Sequence, residues 1–379
     1  MRTPDIGRRR FLAGTAALPV GLAMPRPPSS PADLAIPGSP SSSAGLATPT
    51  TSAARRALDE LVERDGLPGA QAVITYPGGR SKEIVSGAGD LRTGRPFPHL
   101  ARVRIASNTK AFTATTVLQL VAEGRVVLDQ PISRYLPEIA SGATVRQVLR
   151  QQSGFYDFAN DVTEHSRSRY RAADLVAAAL RHPPEFEPGT RWSYSNTNYL
   201  IAGLLIEKVT GRPAEEEITR RIIRPLGLRH TYWPRYPEQT LRGPHARAYM
   251  PPRHTEVRWI NTSVVGTAGA LVSTGHDLNR FFIALLAGRL LPRAVLAEMR
   301  RTVPAGVAEG AAYGLGLIRF PLPGGGAFWG HGGTIEGTRT RGGVTGQGLA
   351  VNVTVNEIAT DPNGSQHVVD AATTILRSC

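Results

Sequence analysis

Hydrophobic positions along the chain change period twice. Residues 52–64 place Leu58, Leu61 and Val62 at helical spacing, and Gly66 closes that pattern. Residues 70–76 and 81–86 flank Pro77-Gly78-Gly79 and read as a β-hairpin. The middle of the chain turns helical, with helices predicted over 108–123, 144–150, 172–181, 199–210, 213–223 and 277–287, the last capped by Asp277. Strand character returns at 313–318, 327–329 and 349–356. In the last segment Leu349, Val351, Val353 and Val355 alternate with Asn352, Thr354 and Asn356, the pattern of a strand with one buried face. A helix over 366–377 follows, with Val368, Val369, Ala372, Ile375 and Leu376 on its apolar side.

Strands near both chain ends enclosing a helical middle predict an α/β (α+β) architecture. One antiparallel sheet is formed by both chain ends with flanking helices, a helical lobe is inserted, and the active site lies between them. Gly324-Gly325-Gly326 lacks the lysine of a phosphate loop and reads as a hairpin tip.

Composition agrees with a folded protein. Of 379 residues, 41% are apolar and 20% charged, enough to bury a core. The length favours two lobes over one. The single cysteine, Cys379, excludes an internal disulfide framework and a cysteine metal cluster. The net charge of +14 invites a nucleic-acid partner. The 44 basic residues, however, include only three lysines, and the arginines are scattered without a basic block. A general preference for arginine accounts for that better than a binding face, so no nucleic-acid partner is expected.

The N-terminus changes the picture of location. Arg8-Arg9-Arg10-Phe11-Leu12 leads into a mild apolar run too short for a permanent membrane helix. Two arginines, a variable residue, Phe and Leu resemble a twin-arginine signal, which exports folded proteins. A signal peptide over 1–23, a disordered Pro/Ser/Ala linker over 24–51 and a catalytic domain over 52–379 are expected. No cysteine closely follows the apolar run, so no lipid anchor is expected. The mature chain is expected to be secreted and monomeric.

Three short motifs carry chemistry. Ser107-Asn108-Thr109-Lys110 opens a predicted helix, which places Ser107 and Lys110 one turn apart on one face. A desolvated lysine there has a lowered pKa and can accept the serine proton. Tyr194-Ser195-Asn196 offers a phenol that can relay a proton and an amide that can hold either a substrate carbonyl or the lysine. Gly330-His331-Gly332-Gly333-Thr334 lies on a strand, where the glycines admit a substrate backbone and the imidazole offers a titratable positive charge. There is no Gly-x-Ser-x-Gly and no His-Glu-x-x-His, which argues against an α/β-hydrolase and a zinc protease.

Together and in this order, the three motifs resemble those of the penicillin-recognising serine hydrolases. Ser153-Gly154-Phe155-Tyr156-Asp157 and Gly314-Leu315-Gly316-Leu317 extend the match. The chain looks most like soluble serine-type D-alanyl-D-alanine carboxypeptidases, near class C β-lactamases, over the whole of 52–379. The resemblance implies the β-lactamase/transpeptidase-like fold and an acyl-enzyme mechanism without metal or cofactor. Ser107 is then the nucleophile, Lys110 its base or relay, Tyr194 the proton exchanger and His331 the positive charge. Asn196, Gly333, Thr334 and Arg319 are the substrate-binding candidates, with the N–H groups of Ser107 and Thr334 as oxyanion hole.

D-alanyl-D-alanine carboxypeptidase is the first choice. An esterase, β-lactamase or acyltransferase of the same fold, or a penicillin-binding sensor, is the alternative. The partner is a small peptide, ester or β-lactam. Two departures stand out. Gly332 replaces a hydroxyl residue of the family motif, and Ile318 takes the place of an arginine. Weak recognition of a terminal carboxylate, and relatively better hydrolysis of uncharged esters, are therefore expected.

Overall fold

The computed structural model describes residues 49–162, 166–237 and 240–379. The expected signal peptide and linker residues 24–48 lie outside them. The first helix, α1 (Pro49–Arg64), starts inside the stretch read as linker. Its leading turn is tied down: the Thr50 hydroxyl donates to the Ser378 carbonyl at 2.8 Å.

Eight strands make the main sheet: β1 (Gly69–Thr75), β2 (Ser81–Gly87), β3 (Val303–Pro304), β4 (Ala312–Tyr313), β5 (Ile318–Pro321), β6 (Ala327–Ile335), β7 (Thr338–Thr345) and β8 (Ala350–Val355). Their order is β2-β1-β8-β7-β6-β5-β4-β3, all neighbours antiparallel. Strand β1 therefore pairs with β8, and Ala72 stands opposite Val353. This is the sheet built from both chain ends. The triglycine forms the turn between β5 and β6.

Three strand expectations needed correction. The segment predicted over 313–318 is split by a turn. Gly316 takes φ +73°, and the Gly314 N–H donates to Leu317 O at 2.7 Å. Strand β7 was not anticipated, although Thr338, Arg339, Thr340 and Arg341 alternate. Strand β8 is buried on both faces, not one. Val351, Val353 and Val355 meet α1 and the last helix, while Asn352 and Thr354 lie beneath a helix of the inserted lobe. Their polarity is absorbed internally, with the Thr354 hydroxyl 3.1 Å from Asn352 Oδ1.

The inserted lobe holds α2 (Thr109–Ala122), α3 (Thr197–Thr210), α4 (Thr262–Gly269) and α5 (Gly275–Leu286). Shorter helices run over Val145–Leu149, Ala172–Ala179, Ala214–Ile218 and Arg293–Met299. Helix α2 is buried nearly all round, as expected of a central helix. Phe112 on α2 stacks on Phe281 of α5 with ring centroids 3.7 Å apart. Helix α5 crosses the sheet, and its Asn279 donates to Val73 O (2.9 Å) and Thr75 Oγ1 (3.0 Å). Its cap is Thr274, which accepts from the Asp277 N–H at 3.2 Å. Asp277 instead accepts from His230 N at 2.8 Å and the Thr231 hydroxyl at 2.9 Å.

On the opposite face α1 and the closing helix, α6 (Gly364–Arg377), bury Leu58, Leu61, Val368 and Ile375 against β8. Among the described residues no helix is long and apolar enough to cross a membrane.

Candidate active site

Ser107 sits in a single turn of 3-10 helix (Ala106–Asn108) that runs directly into α2. The turn is held from three sides. The Ile105 N–H donates to Leu271 O at 3.0 Å, and the Thr109 hydroxyl accepts from Leu271 N at 3.1 Å. The Asn108 side chain donates to Thr340 Oγ1 of β7 at 2.6 Å. Ala106, just before the serine, is forced to φ +46°, a region that alanine avoids.

Lys110 is fully buried. Its ammonium donates to Ser107 Oγ (3.0 Å), Asn196 Oδ1 (2.7 Å) and Ala268 O (2.9 Å). All three acceptors are neutral. Burial pushes its pKa down to about 7, against a smaller upward pull from Asp157. Once neutral, the amine keeps two N–H bonds for Asn196 and Ala268. Its lone pair is then left facing Ser107, the arrangement of a base poised on its nucleophile.

Tyr194 stands on the other side. Its side chain lines the same cavity as Ser107, and its ring lies 4.9 Å from the Lys110 ammonium. Burial and the neighbouring Tyr313 raise its pKa well above the usual value, so it is a neutral phenol that can pass a proton but does not start as a phenolate. Asn196 takes the second of the two roles its chemistry allowed: it holds the lysine, while its NH₂ donates to Asp157 Oδ2 at 3.0 Å. Asp157 also accepts the Asn196 backbone N–H at 3.0 Å. Asp157, the last residue of the Ser153–Asp157 match, thus acts on the lysine through Asn196.

The third motif lies on β6. Strand β5 pairs with β6 only from Ala327 to Gly330, so the edge from His331 onward is open. The two motif glycines make room for the protein's own groups. A Cβ on Gly333 would stand 2.1 Å from Ile105 O, so the strand closes directly on the segment carrying Ser107. A Cβ on Gly332 would stand 2.6 Å from the Arg341 guanidinium, which reaches across from β7.

His331 does not supply the expected charge. It is buried, its Nδ1 lies 2.6 Å from Gly332 O, and its Nε2 lies 3.1 Å from the Tyr313 hydroxyl. Burial, with Lys110 and Arg341 nearby, pushes its pKa down to about 3. The neutral ring donates from Nδ1 and accepts the Tyr313 proton at Nε2. The cation beside the motif is Arg341. Arg319 is also displaced from its assigned place: Ile318 and Phe320 line the cavity, and Arg319 between them points to the other face.

The resulting cavity is about 380 Å³. Ser107, Tyr194, Asn196, His331, Thr334 and Arg341 supply its polar wall. Phe158, Val162, Val264, Val265 and Phe320 supply an apolar one. Among the described residues, the group with metal-ligand spacing is Asp65, Asp361 and His367, at the ends of α1 and α6, and none of the three lines this cavity.

Comparison with known proteins places this geometry. A family model described as Beta-lactamase matches residues 54–371. A D-stereospecific amidohydrolase from Streptomyces sp. is 37% identical, with a TM-score of 0.76 over 85% of this chain and 98% of that one. A D-amino acid amidase from Ochrobactrum anthropi SV3, complexed with D-phenylalanine, is 30% identical, with a TM-score of 0.80 over 87% and 98%. Protein flp of Staphylococcus aureus is 29% identical over 195 residues, 48% of this chain. That match covers 39% of the relative, so the chain spans well under half the length of the curated relatives it matches first.

Proposed function

This chain belongs to the beta-lactamase family of serine hydrolases, and from that premise we propose that it cleaves amide or peptide bonds next to a D-amino acid residue through an acyl-Ser107 intermediate. A peptide ending in D-Ala-D-Ala is the first-choice substrate. The observation that carries the reading is the fully buried Lys110, 3.0 Å from Ser107 Oγ and with a pKa of about 7. The D-configuration rests on the similarity to the Streptomyces amidohydrolase and the Ochrobactrum amidase.

Neutral Lys110 takes the Ser107 proton as Oγ adds to the substrate carbonyl. The backbone N–H groups of Ser107 and Thr334 hold the developing oxyanion. Collapse breaks the C–N bond, and the departing nitrogen receives the proton from Lys110 by way of Tyr194. Water then adds to the acyl ester, returns a proton through the same pair, and releases the acid and free Ser107.

Intact mass after mixing with a fluorescent penicillin, alongside turnover of D- and L-configured peptides, tests the reading. A stoichiometric adduct, absent in Ser107→Ala, and turnover confined to the D-peptides are expected. An adduct formed by Ser107→Ala at wild-type rate, or equal turnover of L-peptides, overturns it. An adduct without steady turnover marks a penicillin-binding sensor instead.

We further propose export by the twin-arginine route, on the strength of Arg8, Arg9, Phe11 and Leu12. Arg8→Lys combined with Arg9→Lys should keep the precursor in the cytoplasm. Undiminished secretion would point to the general secretory route.

A further inference from the structure

We propose that a second cavity, separate from the Ser107 site and lined by Arg229, Arg280 and Arg289, binds the phosphoryl group of a soluble phosphate ester. The proposal does not depend on the acyl-Ser107 reading.

The cavity holds about 560 Å³, and it shares no lining residue with the one beside Ser107. Helix α5 contributes His276, Arg280 and Ile283, which recur along one helical face. The β1–β2 hairpin contributes Thr75 and Ser81. Arg229 and Arg289 come from two further segments, so the three guanidinium groups approach from different parts of the chain.

The charge of these arginines is uncommitted. Arg229 and Arg289 make no hydrogen bond or ion pair among the described residues. Arg280 reaches only backbone, its Nη1 lying 3.4 Å from Leu226 O and 3.3 Å from Gly227 O. Elsewhere in the fold arginines find carboxylates: Arg146, Arg221 and Arg247 each meet two. Asp277 is the acid on the lining, and it is taken up by the His230 N–H and the Thr231 hydroxyl. Glu83 stands behind the lining, held by the Leu100 N–H at 3.0 Å and set between His99 and His276. Three guanidinium charges against the Asp277 carboxylate leave an excess of two positive charges around the space.

Neutral donors complete the lining. Arg102 donates to His230 Nδ1 at 3.0 Å, so the proton of that ring sits on Nε2 and can be donated in turn. Thr75 Oγ1 accepts from Asn279 at 3.0 Å and lies 2.9 Å from Ser81 Oγ. When Thr75 gives its hydrogen to Ser81, the Ser81 hydrogen is left for a ligand.

This donor set selects the ligand. One guanidinium fork saturates a flat carboxylate, whereas forks arriving from three segments suit a tetrahedral dianion whose oxygens accept from several directions. A phosphoryl dianion also matches the excess of two charges. The volume leaves room for the organic part of an ester, to which Leu100 and Ile283 offer apolar contact. A lipid surface fits less well. The large apolar side chains exposed among the described residues are Leu91 and Val127, and neither lines this cavity.

Isothermal titration of the whole chain with inorganic pyrophosphate tests the proposal. One site per chain is expected, weakened by added salt. Arg229→Gln combined with Arg280→Gln should raise Kd roughly tenfold or more, as for lost charge-assisted hydrogen bonds, and Arg289→Gln should act in the same direction. All three side chains are exposed, so the variants should keep the wild-type melting temperature without ligand. Should the double variant fail to fold, the single variants carry the test. Penicillin labelling of Ser107 should be unchanged by the variants and by saturating pyrophosphate. Citrate bound as tightly as pyrophosphate overturns the choice of a phosphoryl group over a carboxylate. Binding to phosphatidylglycerol vesicles that pyrophosphate displaces makes the ligand a lipid headgroup and overturns the soluble ester. No binding at millimolar pyrophosphate, or the same Kd in wild type and folded variants, overturns the site itself. So does pyrophosphate that blocks Ser107 labelling, which would place the ion in the other cavity.

Discussion

Asp157 reaches Lys110 only through Asn196, whose amide oxygen lies 2.7 Å from the lysine and whose nitrogen lies 3.0 Å from the carboxylate. The carboxylate is thus near enough to raise the lysine's proton affinity, yet it does not touch it. Had the two formed a direct ion pair, the lysine would stay charged and could not act as a base. The intervening amide fixes the ammonium's direction and leaves burial as the dominant influence.

The pH dependence follows. The base form of Lys110 exists above its pKa of about 7, so kcat/KM should rise with pH on the acid side and level off above that value. Asp157 raises the lysine pKa, so Asp157→Asn should move the acid limb to lower pH. Lys110→Ala should cost roughly 10²- to 10⁴-fold in kcat/KM, the usual worth of a general base. An acid limb that stays in place in Asp157→Asn would show that the limb belongs to another group.

His331 should contribute no limb between pH 5 and 8, because its pKa lies near 3. Nitrogen NMR of imidazole-labelled protein should report a neutral ring protonated at Nδ1 throughout that range. A ring that becomes cationic near pH 6 would contradict the burial and the Tyr313 contact described above.

Gly333→Ala should be damaging far beyond its size. The new methyl would press on Ile105 O, a backbone atom with no room to retreat. Overpacking of this kind costs ~1–3 kcal/mol, and here the displaced segment carries the nucleophile. Thermal unfolding should move to lower temperature, and acylation of the remaining folded protein should slow.

Ala106→Gly should do the opposite to stability. Alanine at φ +46° carries strain of about 1 kcal/mol that glycine does not. The variant should melt at higher temperature and turn over more slowly, because the turn that aims Ser107 is no longer held taut. A rise in both would separate the strain from catalysis.

What was legible in the sequence divides along physical lines. The Ser107–Lys110 pairing could be read because one helical turn fixes it. The sheet built from both ends could be read because Pro77-Gly78-Gly79 marks the hairpin that holds β1, and β8 keeps its apolar alternation. The charge of His331 was misread because residue type says nothing about burial, and burial decides whether an imidazole is charged. Arg319 fails as a binding residue because it stands one place beyond the position that Ile318 fills, and adjacent residues on a strand face opposite sides. Arg341 was passed over along with all of β7, whose Thr-Arg-Thr-Arg alternation was a usable period-two signal. Its importance depends on a glycine nine residues away in the chain and directly opposite in the sheet.

The pairing of β1 with β8 also bears on timing. A ribosome delivers β1 and the Ser107 turn early, but the neighbour that joins β1 to the rest of the sheet, β8, is made some 280 residues after β1. Strand β6, against which the Ser107 segment packs, likewise comes more than 200 residues after that serine. Long loops must close before these contacts form, which favours slow, late assembly. A nascent chain therefore carries its nucleophile through most of synthesis with no partner surface to activate it, and hydrolytic competence should arrive all at once, after the last strand has docked.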